Sequence, residues 1–81
     1  MEETMNEPVV WYDIGVETPV LPADPLPAPP PIPPGALVII TGRAPIWRYA
    51  RAWHAVHGRA AAVATFDPRL GAVIVASHTP P

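Results

Sequence analysis

The sequence contains no cysteine, which removes disulfide staples and thiolate metal sites from consideration. Long apolar runs are also missing: they stop at about five residues, where a membrane-spanning helix needs ~20. The acidic residues 1–7 lack the cationic start of a secretory signal and read as a disordered tail. A soluble cytoplasmic protein is the expectation. Regular structure is scarce as well, because nine of the fourteen prolines fall between Pro19 and Pro34 and exclude helix or central strand there. What remains of the 81 residues makes one small domain, 8–81. A chain of this size buries only ~60% of its unfolded surface, so association with further copies is expected.

The net charge of −2 hides an asymmetry. Six of the seven acids precede residue 25, whereas all five arginines lie at or after Arg43, where the only acid is Asp67. Five arginines against one aspartate give residues 35–81 a formal charge of +4. A cationic half points to an anionic ligand such as a nucleotide or RNA. It fits equally well an acidic arm lying on the basic half of its own or a neighbouring subunit.

Residues 9–16 (VVWYDIGV) are β-branched and aromatic, the pattern of a strand. Residues 19–34 then run as polyproline II, extended by about 3.1 Å per residue. Pro-rich segments are also ligands of SH3-like domains, but this one has no basic anchor and reads as a spacer across the fold. The apolar run 36–41 (ALVIIT) predicts a strand in a sheet covered on both faces. Pro45 suits the first position of a helix and Gly58 its end. Between them Ile46, Ala50, Trp53 and His57 form the predicted buried stripe, with Arg48 and Arg51 facing outward. Residues 60–66 and 72–77 predict two more buried strands, joined by the tight turn Asp67-Pro68-Arg69-Leu70-Gly71. The fold class is α/β, a small mixed sheet in the order β, Pro-rich crossover, β, α, β, β, with one helix packed on it.

Ligands of such sheets sit beyond the carboxyl ends of the parallel strands. The polar residues are therefore expected to converge on one edge. Arg43 precedes the helix N-terminus, where free N–H groups favour phosphate, and Gly42 allows close backbone approach; the alternative is a solvated loop arginine. Asp67 is either a metal ligand or the turn-forming aspartate of its own hairpin. Arg69 is suited to clamping a scissile phosphate, or is an exposed turn residue. His57 and His78 each end an element, and an imidazole there moves protons or binds metal near neutral pH. At a helix C-terminus, the dipole alone also favours His57.

The segments Thr41-Gly42-Arg43-Ala44-Pro45-Ile46-Trp47, Asp67-Pro68-Arg69-Leu70-Gly71-Ala72-Val73 and Ser77-His78, in this order, resemble the small stand-alone ring nucleases of type III CRISPR systems, the CRISPR-associated Csx-three family. The resemblance implies a manganese-dependent phosphodiesterase that opens cyclic tetra-adenylate to linear di-adenylate. It implies catalytic roles for His57, Asp67 and Arg69, ligand contacts from Gly42, Arg43, Pro45, Arg69 and His78, and Asp67 and His78 as Mn²⁺ ligands. It also implies dimers or tetramers that sandwich the ligand head-to-tail, with no DNA or membrane partner. A non-catalytic sensor of cyclic oligoadenylate and a deadenylating exoribonuclease on linear RNA are the alternatives.

Overall fold

The computed structural model describes residues 8–78, so the expected tail at 1–7 lies outside the described residues. Five elements follow in order: β1 (Val9–Asp13), β2 (Leu37–Thr41), α1 (Ile46–His57), β3 (Ala62–Asp67) and β4 (Gly71–Ser77). They form one four-stranded sheet in the order β1-β2-β3-β4. The first three strands are parallel and β4 is antiparallel to β3. The α/β class with a mixed sheet and a single helix is as the sequence predicts.

Boundaries move for local reasons. β1 ends at Asp13 rather than residue 16 because the Asp13 carboxylate accepts from the Gly15 N–H at 2.8 Å and turns the chain. Ile14 and Val16 still donate to Thr41 and Arg43 carbonyls, a loose continuation of the ladder. β3 begins at Ala62 rather than residue 60, since the Arg59 and Ala60 amides still bond to Val56 of the last helical turn. Pro45 is the N-cap rather than the first helical residue.

The Pro-rich crossover is not one extended run as expected. It turns at 21–24, where the Asp24 amide donates to the Leu21 carbonyl at 2.9 Å and the Leu21 amide to the Asp24 carboxylate at 2.8 Å. Crossover and helix both pack on one face of the sheet. Leu26 and Ile32 from the crossover join the cluster built by Tyr12, Val38, Ile40, Ala52, Val56 and Val63. Two side chains tie the crossover down by its carbonyls, Tyr12 Oη donating to Pro27 at 2.5 Å and Arg51 Nη1 to Pro22 at 2.6 Å. A proline-rich segment has carbonyls to spare because it lacks the N–H groups that would pair them. The spacer is thus part of the core wall.

The helix buries a different stripe from the predicted one: Arg48, Ala52 and Val56, four residues apart, face the sheet, while Ile46 is 83% exposed. Trp53 is left at the margin, where its indole N–H donates to Thr65 Oγ1 at 2.9 Å. Arg48, expected outside, is buried; its Nε donates to the Ile14 carbonyl at 3.1 Å, and its Nη1 has no hydrogen-bond partner among the described residues.

Among the described residues the opposite sheet face has no covering layer, which corrects the expectation of a sheet covered on both sides. Trp11 (53% exposed) and Phe66 meet edge to face at 6.0 Å between ring centroids. Together with Ile74 they leave an apolar surface over buried Ile39 and Ala64. β4, predicted buried, is an exposed edge strand, with Val73, Ile74 and Val75 all open. A register shift opposite Val63 and Ala64 leaves Val75 unpaired. Among the described residues, no helix is long and apolar enough to cross a membrane.

Candidate functional site

The predicted site residues occupy two opposite rims of the sheet. The carboxyl rim carries Gly42, Arg43, Asp67 and Arg69. Gly42 has φ 116°, and a Cβ there would collide with the Gly15 backbone and the Asp13 carboxylate. Glycine is required at this close crossing of β1 and β2. Tyr49 holds the same turn from the helix, its hydroxyl donating to the Gly42 carbonyl at 2.6 Å. Desolvation raises the Tyr49 phenol above its ordinary value, and the nearby Asp13 charge pushes the same way. It therefore remains a donor at neutral pH.

Arg43 leaves this turn exposed and lines two adjoining clefts. The larger, about 450 Å³, lies between residues 16–20 and the start of α1, with Trp47 and Pro45 in its wall. The smaller is bounded by Asp13, Gly15 and Glu17. Pro45 offers no side-chain cap to α1, and the first turn holds no acid. Within the helix itself nothing offsets the positive end of its dipole, and the acid that shares the cleft with it is Glu17.

Farther along the same rim, Asp67 Oδ1 accepts from the Arg69 and Leu70 amides at 2.7 and 3.1 Å. This is the turn-forming role weighed as the alternative to metal binding. Arg69 projects into solvent, its side chain 88% exposed and its Nε 3.8 Å from the same carboxylate oxygen. At that exposure the ion pair contributes little to stability. The guanidinium is free to engage a phosphate.

At the amino rim, His57 ends α1 and His78 follows β4, and their Nε2 atoms are 3.1 Å apart. The rings meet nearly at right angles, 4.5 Å between centroids. In an N–H···N bond one ring donates and the other accepts. The His78 amide donates to the Ala61 carbonyl at 2.7 Å, which fixes the start of the tail beside β3. Gly35 and Arg59 complete a shallow cleft of about 370 Å³ around the pair.

Sequence reasoning placed these residues on one edge; the structure divides them. Asp67 closes β3 at one end and His78 pairs beside its beginning, so the strand holds them apart by about 17 Å. Asp67 and His78 of one chain therefore do not form a shared Mn²⁺ site. No group of three or more His, Asp or Glu side chains able to hold a metal ion occurs among the described residues. The histidine ends up opposite because β4 is antiparallel and returns the chain to the amino rim. Asp13 and Glu17 were missed, although the rule that ligands gather beyond parallel strand ends applies to β1 as well.

The model of the family described as CRISPR-associated protein (Cas_csx3) matches residues 14–81, which include every residue discussed above at both rims except Asp13. A curated relative from Aquifex aeolicus (strain VF5), described only as an uncharacterized protein, is 46% identical over 44 residues. That stretch is 53% of this chain and 39% of the relative, so the chain spans well under half of the protein it matches. The chain belongs to the Cas_csx3 family of CRISPR-associated proteins.

Proposed function

We propose that this protein is a ring nuclease that cleaves cyclic tetra-adenylate to linear di-adenylate and so ends type III CRISPR signalling. The observation that carries the reading is the division of the site. Arg43 beside Asp13 and Glu17, and Arg69 beside Asp67, stand at one rim, and the His57–His78 imidazole pair stands at the other with Arg59 in the wall of its cleft. Stacked head-to-tail, the amino rim of one copy faces the carboxyl rim of the next, and the two halves enclose a ligand between them. A four-fold repeating anion is met by symmetry-related arginines. The uncovered apolar face around Trp11 and Phe66 supplies a second surface for self-association.

In the composite site, the ribose 2′-hydroxyl attacks the adjacent phosphorus and the bond to the 5′-oxygen breaks. The products are a 2′,3′-cyclic phosphate and a free 5′-hydroxyl. One histidine of the pair accepts the proton from the 2′-hydroxyl, and the other returns a proton to the leaving oxygen. Arg69 and Arg43 hold the phosphate and stabilise the extra charge on its oxygens in the transition state. Asp67 fixes the turn that presents Arg69. One chain's Asp67 and His78 do not fit a metal ion together. No step here passes through such an ion.

The turn-bound state of Asp67 favours one alternative, a binding module that holds the ring without cleaving it. Incubation with labelled cyclic tetra-adenylate, in Mn²⁺ and in EDTA, separates the two. Linear di-adenylate that disappears in Arg69→Ala supports the nuclease, and its absence with a 2′-deoxy ring supports attack by the 2′-hydroxyl. A ring that stays intact while bound to the protein would establish the sensor instead.

A further inference from the structure

The 450 Å³ cleft beside Arg43 has a chemistry that phosphate binding leaves unexplained. Its size lies within the range of about 300–1,000 Å³ typical of small-molecule sites. Most of its wall is apolar, with Val16 and Pro19 on one side and Pro45 and the Trp47 indole on the other. The polar groups are Glu17, Thr18 and Arg43. A phosphate needs neither an indole nor a carboxylate, and a carboxylate repels it. A nucleobase needs both: a flat apolar surface for its ring, and an acceptor for its exocyclic amine. The Arg51 guanidinium sits 5.0 Å from the centroid of the Trp47 ring, which steadies that indole as a platform.

We propose that this cleft is a purine-base pocket. Trp47 is its stacking wall, Glu17 accepts a hydrogen bond from the exocyclic amine, and Arg43 at the mouth takes the attached phosphate. The assignment of the base as adenine rests on the cyclic oligoadenylate reading above; the pocket itself rests on the cleft and its lining. Glu17 is then a specificity-determining residue. A purine without the amine leaves its carboxylate unpaired.

The test titrates the full chain with adenosine 5′-monophosphate and with purine riboside 5′-monophosphate, which lacks the amine, following amide and indole N–H resonances. Adenosine monophosphate is expected to shift residues 16–20 and 43–47, including the Trp47 indole, and to bind about tenfold more tightly than the amine-free analogue. Glu17→Ala, a change at an exposed position that leaves folding intact, should abolish that difference. Trp47→Ala should weaken both ligands roughly tenfold or more, the loss of one base–aromatic stack. Equal affinity for the two ligands in the parent protein, or shifts confined to the histidine rim, would overturn the proposal. Turnover of cyclic tetra-adenylate without these shifts would remove the pocket and leave the nuclease standing. Shifts at the pocket without ring turnover would do the reverse.

Discussion

The two rims of this sheet are built by different means. At the carboxyl rim, turns do the work: Gly42 and Gly71 adopt positive φ, Asp67 knots a hairpin, Arg43 lines two clefts and Arg69 projects into solvent. At the amino rim, a helix and a strand simply end, and their last imidazoles touch. The first arrangement exposes two guanidinium groups among carboxylates, and the second brings two imidazoles together; in the proposed reaction the first would hold phosphate and the second would move protons. Phosphodiester cleavage needs both. Under the proposed function a fold this small would separate the two tasks, because a five-step strand holds its ends apart and a second copy would be needed to bring the opposite rim to them.

The largest effects should come from disabling one rim while sparing the other. His57→Ala is expected to lower ring turnover by about 10²–10⁴-fold, the usual range for a lost general acid or base. Its affinity for the ring, measured by equilibrium binding in EDTA, should stay within about twofold of the parent because the arginines are untouched. A loss of binding equal to the loss of turnover would mean that the histidine rim also binds.

Backbone changes sharpen the same contrast on a smaller scale. Gly42→Ala meets both positive φ and a collision with Gly15 and Asp13, and should cost about 3 kcal/mol in denaturant unfolding. Gly71→Ala has the strain (φ 85°) without a neighbour within 4 Å, and should cost about 1 kcal/mol. Equal costs would show that conformation alone, and not the close approach at the carboxyl rim, demands glycine.

Alkaline pH probes that rim more gently still. The Tyr49 phenol is raised above 10.0 by desolvation and by Asp13, so its contribution is intact below pH 10 and is lost as pH climbs through the folded value. Tyr49→Phe, lacking the bond to Gly42, should lose about 1 kcal/mol at neutral pH and show a shallower alkaline decline in melting temperature. An unchanged alkaline slope would assign that decline elsewhere, Tyr12 being the other phenol raised by burial.

Much of this was legible in the sequence, and what was not has particular causes. Strand positions, the helix and the D-P-x-x-G turn follow from β-branched runs and turn chemistry, which are local. The stripe of α1 was misread because alanines occur all around the helix, so Ala52 and Val56 gave little contrast against Ile46 and Trp53. The burial of Arg48 depends on the Ile14 carbonyl, 34 residues away in sequence. The exposure of β4 depends on there being only one covering layer. The placement of His78 depends on strand direction: the tight turn at 67–71 makes β4 antiparallel and carries His78 back to the amino rim, a consequence of the turn that the expectation of one shared edge did not follow through.

The central claim is that each catalytic unit is assembled from the histidine rim of one copy and the arginine rim of another. Mixing His57→Ala with Arg69→Ala, each inactive alone, tests it most directly. If the site is shared, random co-assembly restores an intact pairing at about a quarter of the junctions, and cyclic tetra-adenylate turnover should return to that fraction of the parent rate. A mixture as inactive as its components, under conditions where both still associate, would contradict the account.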